Sequence, residues 1–421
     1  MKRFLRFRAA YFAGLFVSSV SAQPTPPGLF DTVREAVFQV RIINKNTGTT
    51  SAIGTAFFVA KSGLAITNFH VVSEVVHEPD KYRAEYLGEE DKHSDADVLS
   101  VDVINDLALL KTHITPNYFL RFHAGTVKKG EPIYAVGNPF DLGTTIVEGS
   151  YSGTVTNSQF ERIHFTGSLN AGMSGGPTVN GRGDVIGVNV ATSGEQISFL
   201  VAARFADQLI STWNSEAIPT QVELSERIGG QLTSMQERVF ASFLQTNLRT
   251  VELGRFLVPE KLLPFLSCWG DSTTGEELKY DLFSFRCAND EYIYLSRGHY
   301  TQLIEFYHDY VDGKDLNKLA FTALYEDNFG IPRSQSGGTK EDVTDYRCTT
   351  DFVTNGEITF RTVFCARGLR KYPHLYDVVV RAATMERKNS GLLTELKLGA
   401  VSLDNAIAVS KHFLSAIKWK K

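Results

Sequence analysis

The sequence predicts a mainly β protein in two parts: a β-rich N-terminal half closed by a helix near residue 213, and a smaller α+β C-terminal half. Three observations carry this expectation. The chain has 421 residues, too many for one ordinary core, so two or three domains are expected. Its 34 glycines suit turn-rich β structure. Short apolar runs bounded by turn residues succeed one another to about residue 202, where a helical pattern takes over.

In chain order, the first 22 residues place Lys2, Arg3, Arg6 and Arg8 before an apolar run that ends in Val20-Ser21-Ala22. This reads as a secretory signal peptide, residues 1–22, cut after Ala22. The run falls short of the ~20 residues of a spanning helix, and nothing later is long and apolar enough to cross a bilayer. Removal takes four of the 43 basic residues and none of the 47 acidic ones, moving the net charge from −4 to −8. That balance excludes a basic stripe for phosphates, so no nucleic-acid partner is expected.

After a proline-rich segment, "DTVREAVFQVRI" passes from a short helix into a first strand. "GTAFFVAKSGLAITNFHVV" (54–72) alternates as two strands joined at Lys61-Ser62-Gly63 and ends on Asn68-Phe69-His70. The charged stretch 77–97 reads as a solvated surface loop; its His77, His93 and carboxylates leave a metal loop as the weaker alternative. "VINDLALLKT" sets Asp106 beside an apolar strand, Leu107 to Leu110. Asn180-Gly181 is the dipeptide of a tight hairpin turn, followed by a buried strand through Val185, Ile186, Val188 and Val190. Arg204 to Trp213 is an amphipathic closing helix.

"NSEAIPTQ" marks the best boundary, giving a domain over 23–215, a linker and amphipathic helix over 216–250, and an accessory domain over 251–421. Ile228, Leu232, Met235, Val239, Phe243 and Leu244 recur at helical spacing, and this stripe is expected to pack within its own domain. Farther on, aromatic strand-like runs lead to a hairpin turn at Lys388-Asn389-Ser390-Gly391 and a terminal helix capped near Ser402.

All four cysteines lie in this half: Cys268, Cys287, Cys348 and Cys365. An even count in an exported chain favours disulfides, whereas zinc would call for a C-x-x-C pair that is missing, so no metal is expected. Of the three pairings, Cys268–Cys287 and Cys348–Cys365 are expected because each pair flanks a local strand segment. The cysteines and the turns at Asp312 and Asn389 recur 77–80 residues apart, as a duplication or as chance likeness among β-rich segments.

The chemistry concentrates at Gly172-Met173-Ser174-Gly175-Gly176. The pattern fits G-x-S-x-G, but the nucleophile elbow of a serine esterase is followed by a helix. Here Pro177 and a hairpin follow, which speaks against the esterase. The rival arrangement needs His, Asp and Ser in that order. His70, Asp106 and Ser174 supply it, 36 and 68 residues apart. A serine hydroxyl is a poor nucleophile until a base takes its proton. An imidazole with a pKa of ~6.5 can do so and return the proton to a leaving amine, and a carboxylate can hold its tautomer.

"GTAFFV…LAITNFHVV", "NDLALLK", "VGNPFDLGTTIVEGSYSGTV" and "NAGMSGGP…GDVIGVNVA…ISFLVA" together resemble the protease domain of HtrA-type (Deg) serine proteases over residues 50 to 205. The resemblance implies a chymotrypsin-like double six-stranded β-barrel. It implies His70 as base, Asp106 as orienting acid and Ser174 as nucleophile, with the N–H groups of Gly172 and Ser174 as oxyanion hole. By position, Ser168 and Leu169 form one wall of the substrate pocket, and Asn189, Val190 and Ala191 the other. None is charged, so small or medium apolar residues are expected there. Met173 departs from the family, which usually has Asn before the serine. This keeps open a catalytically inactive, binding or scaffold protein on the same fold. No PDZ carboxylate-binding loop is visible beyond the protease region. The resemblance implies no cofactor, protein or peptide substrates, and export, to a bacterial periplasm in preference to the extracellular space; oligomeric state is left open.

Overall fold

The structure, a computed structural model, describes residues 26–88, 92–192, 197–214, 217–289, 291–330, 337–385 and 389–420. The expected signal peptide, 1–22, lies outside them.

The first barrel comprises α1 (Pro26–Arg34), β1 (Val37–Asn44), β2 (Thr50–Phe58), β3 (Leu64–Thr67), α2 (Phe69–His77), β4 (Tyr82–Leu87), β5 (His93–Asp102) and β6 (Leu107–Thr112). Its strands close in the order β1-β2-β3-β6-β5-β4. Closure removes the unpaired edges that an open sheet would expose. Leu107 to Leu110 are all buried, without alternation, because α2 and α3 pack on β6 outside the barrel.

The second barrel comprises β7 (Pro132–Gly137), β8 (Thr145–Thr154), β9 (Arg162–Phe165), β10 (Pro177–Val179), β11 (Val185–Thr192) and β12 (Ser198–Ala202), closing in the order β10-β11-β12-β9-β8-β7. Helix α3 (Ala203–Thr212) follows, as expected. The two closed six-stranded barrels are the architecture of a chymotrypsin-like fold.

Two expectations are corrected. The stretch 77–97 is not a loop: its described residues end α2 and form β4 and the start of β5, paired antiparallel. Charged side chains mask the strands. Buried Ala84 and Ala96 face inward, while Arg83, Glu85, His93 and Asp95 bond one another on the outer face. Among the described residues no cluster of His, Cys, Asp and Glu could hold a metal ion. The hairpin at Asn180-Gly181 is longer than two residues. Asn180 Oδ1 accepts from the N–H groups of Arg182 and Asp184, and the left-handed position falls on Gly183 (φ +86°).

Beyond residue 216 the chain enters α4 (Gln221–Leu244), started by a capping box between Thr220 and Glu223. The sheets that follow use β13 (Thr250–Leu253), β14 (Phe256–Pro259), β15 (Ser267–Thr273), β16 (Asp281–Ala288), β17 (Ile293–Ser296), β18 (His299–Thr301), β19 (Ile304–Asp312), α5 (Lys318–Gly330), β20 (Arg347–Thr354), β21 (Thr359–Gly368), β22 (Tyr376–Thr384), β23 (Ser390–Val401), α6 (Leu403–Ser415) and β24 (Lys418–Trp419). Ser402 caps α6 as expected, its Oγ accepting from Asn405 N–H. Seven strands form one antiparallel sheet, β15-β16-β19-β23-β22-β21-β20; β17 and β18 make a separate hairpin.

Both disulfides join residues directly opposite in an edge hairpin, Cys268–Cys287 across β15–β16 and Cys348–Cys365 across β20–β21. The sheet is thus bounded by two stapled hairpins with β23 at its centre. The repeat stops at the turns. Asn389 immediately precedes β23, whereas Asp312 ends β19 ahead of α5, and Gly313 N–H donates to Asn389 O; Lys388 of the expected turn lies outside the described residues.

Helix α4 does not pack within one domain. Gln231 donates to Val101 O and accepts from Val103 N–H in the first barrel. One turn on, Gln236 Oε1 accepts from Ser402 N–H. Buried Ile228, Leu232 and Phe240 belong to a core cluster continuous from Leu29 to Ile417.

Candidate active site

His70 sits in the first turn of α2, which Phe69, Val72 and Val76 anchor by burial against the barrel. Asp106 occupies the β5–β6 turn at φ +61°, a left-handed conformation that Asp tolerates better than most residues. That geometry turns its whole polar surface toward α2. Asp106 Oδ2 lies 2.6 Å from His70 Nδ1, and Oδ1 accepts from the His70 backbone N–H at 2.9 Å. The Asp106 carbonyl accepts from Phe69 N–H and Asn68 Nδ2. The imidazole is 29% and the carboxylate 14% exposed, so the pair is only partly desolvated. Burial opposes charging the ring, but the Asp106 carboxylate, by charge and hydrogen bond, outweighs it and raises the His70 pKa above 6.5. With Nδ1 committed to Asp106, Nε2 is left for a proton transfer.

Ser174 comes from the second barrel, on the loop before β10. The loop crosses the seam: Thr55 N–H donates to Ser174 O at 2.8 Å, and Thr55 Oγ1 donates to Gly172 O at 2.6 Å. Gly175 (φ +84°) lies against Thr67, Thr55 and the Asn68 N–H, two residues before His70, where a Cβ would collide. Gly172 (φ +95°) is equally required, since a Cβ there would strike the Asn138 carbonyl. Met173, Gly175 and Gly176 donate their N–H groups to Asn170, Asn189 and Met173. Those of Gly172 and Ser174 have no hydrogen-bond acceptor among the described residues. No hydrogen bond joins Ser174 Oγ to His70 among them either; in free enzymes such bonds are often long and tighten only with substrate.

Met173 is fully buried in the second barrel's core, among Ile133, Ala135, Ile163, Phe165 and Leu169. Its side chain therefore faces away from the seam. Of the expected pocket residues, Ser168 is exposed and Val190 half-buried. Leu169 is buried in the core cluster with Met173. Asn189 is wholly buried, accepting from Thr178 Oγ1 and donating to Val136 O and Met173 O. It pins the serine loop to the barrel wall by its side chain. Ala191 lies on β11.

Two residues at the site are missing from the sequence reading. Thr55 stands inside the "GTAFFV" run, but nothing in the run announces that its hydroxyl bridges Gly172 O and Asn138 N–H. Tyr294, on β17, places its ring centroid 5.9 Å from that of His70. No signal in sequence links residues so far apart.

The two closed barrels, with a His–Asp pair on one and a serine loop on the other, define a trypsin-like peptidase domain. The family model of that description matches residues 54–188. Serine protease HTRA3 of Homo sapiens is 29% identical over 183 residues, 39% of this chain and 40% of the relative. The Probable periplasmic serine endoprotease DegP-like of Chlamydia trachomatis is 34% identical over 179 residues, 38% of this chain and 34% of the relative. Over residues 54–188 the chain therefore carries a trypsin-like peptidase domain, similar to those of HtrA-type proteases. The chain spans two fifths or less of the length of these relatives. Among solved structures, a serine endoprotease from Yersinia pestis aligns at 25% identity and TM-score 0.39, covering 45% of this chain and 67% of the other. The active form of a protease from M. tuberculosis aligns at 19% and 0.42, covering 50% and 98%. The fold assignment rests on the barrels themselves.

Proposed function

We propose that the protein is an exported serine endopeptidase, acting in a bacterial periplasm, that hydrolyses protein substrates through an acyl-enzyme intermediate. The observation that carries this reading is the His70–Asp106 pair, 2.6 Å apart at the seam onto which the Ser174 loop is bonded. In this reading His70 Nε2 takes the Ser174 proton as Oγ attacks the substrate carbonyl, and the N–H groups of Gly172 and Ser174 receive the oxyanion. His70 then protonates the leaving amine, and water repeats the sequence in reverse to release the acyl group. Asp106 fixes the tautomer and stabilises the imidazolium. Ser168, Val190 and Ala191 bring no charge to the primary pocket, which supports cleavage after small or medium apolar residues.

A digest of casein with mapped cleavage sites tests both statements. Wild-type protein should cut after residues such as Val, Ala or Leu. Ser174→Ala and His70→Ala should each lose at least ~10⁴-fold in rate, and the double variant little more, because the triad acts as a unit. Undiminished cleavage by Ser174→Ala would end the proposal; cleavage mainly after Lys or Arg would end the pocket assignment.

A further inference from the structure

The C-terminal domain reaches the active site itself. Its β17–β18 hairpin lies along α2, the helix that begins with Phe69 and His70. Arg297 pairs with Glu74 at 3.4 Å, and His77 Nε2 lies 2.7 Å from the Leu295 carbonyl. Just before the hairpin, Glu291 accepts from Ser158 Oγ and Gln159 N–H on the second barrel. The hairpin is thus tied to both barrels, and between those ties stands Tyr294.

The Tyr294 ring meets His70 edge-on, at 62° between planes, and Phe69 at 6.1 Å and 74°. Its hydroxyl lies 3.1 Å from Ser73 Oγ, which in turn donates to the His70 carbonyl. Tyr300 closes the far side, its centroid 5.2 Å from that of Tyr294. Burial pushes the phenol pKa up to about 12, so Tyr294 stays neutral beside the imidazole and keeps its hydroxyl proton for Ser73. A glue residue between domains needs only apolar area. This one meets the imidazole directly and, through Ser73, the backbone carbonyl of the same residue.

Of the two Asp106 bonds to His70, only that from Oδ2 to Nδ1 reaches the ring, the other taking the backbone N–H, which leaves the imidazole some torsional freedom about Cα–Cβ and Cβ–Cγ. A second contact against the ring removes that freedom. We propose that Tyr294 is a positioning residue for His70: the accessory domain holds the base in the orientation from which Nε2 faces Ser174. This rests on the reading of His70 as the general base. Orientation is a large term in such chemistry, since misplacement of a reacting group by ~1 Å can cost ~10²-fold in rate.

The test uses the full chain, beginning with wild-type peptide hydrolysis and fluorophosphonate labelling. A wild type that neither cleaves nor labels removes the endopeptidase reading, and this inference with it, before any variant is made. With an active wild type, Tyr294→Ala should lower kcat by ~10- to 100-fold while KM stays within about threefold. Tyr294→Phe keeps the ring and should retain kcat within about threefold. Arg297→Ala removes a neighbouring tie between the domains without touching His70, and should leave kcat within about twofold. If Tyr294→Ala does not fold, Tyr294→Leu replaces it, with the same loss expected for want of a flat ring. The proposal is overturned by a folded Ala or Leu variant with wild-type kcat. It is equally overturned if Arg297→Ala loses as much as Tyr294→Ala, which would show a general loosening of the interface.

Discussion

Met173 stands where HtrA-type domains usually carry Asn, and in this chain that position is core. Its side chain fills space among Phe165, Leu169 and Ile133. Met173→Asn would bury an amide without partners and should cost about 1–3 kcal/mol in urea denaturation, whereas Met173→Leu should cost less than about 1.5 kcal/mol. Equal stability of the Asn variant and wild type would contradict the packing described. His70 gives a pH prediction. A general base, the role proposed for His70, must be neutral to act, and Asp106 raises the His70 pKa above 6.5 against the opposing effect of burial. The acid limb of kcat/KM should therefore lie above pH 6.5. In Asp106→Asn it should move down, because burial then acts alone, and kcat should fall by roughly 10⁴-fold. The same raised pKa means that the pair's contribution to stability is full below pH 6.5 and is lost as pH rises through the folded-state value. The meeting of His70 with Asp106 was legible in the residue order, because the proposed chemistry tolerates few alternatives. The inward turn of Asn189 was not, because strand position does not say which partners a side chain finds.

Secondary structure was legible where alternation and turn chemistry agree, as in β2 and β3. It was hidden in β4 and β5, where charged pairs on the outer face made a strand pair look like a solvated loop. The cysteine pairing was readable because each pair brackets one hairpin. Those hairpins form the two edges of the large sheet, and β20 is exposed along its entire length. Such an edge depends on covalent closure more than on burial. Replacing Cys348 and Cys365 together by Ser should lower stability by ~3 kcal/mol in the chain-entropy account. Since neither cysteine touches the His70–Asp106 pair or the Ser174 loop, kcat should stay at the wild-type value. Urea melts and initial rates on the double variant check both halves of that statement. A loss of rate at full stability would contradict it.

Length and composition led to an expected division into two parts; the contacts between the two halves of the chain were not legible. The contacts that join them, such as Gln231 with Val101, Tyr294 with Ser73 and Tyr372 with His77, are separated by 130, 221 and 295 residues. No local pattern encodes pairs so distant. Helix α4 and a shared core tie the C-terminal domain to the Asp106 turn, and the β17–β18 hairpin ties it to His70. Heating should therefore give a single transition, with loss of activity and loss of far-ultraviolet circular dichroism coinciding. Two separated transitions, the accessory domain melting first with activity intact, would show that the halves are independent.

We propose Ser174 as a nucleophile activated by His70. The most direct measurement is reaction of the full chain with a fluorophosphonate, followed by intact mass and peptide mapping. One adduct per chain is expected, on Ser174, absent from Ser174→Ala and formed at least ~10³-fold more slowly in His70→Ala. An adduct on another residue, or labelling of Ser174→Ala at the wild-type rate, would contradict the proposal.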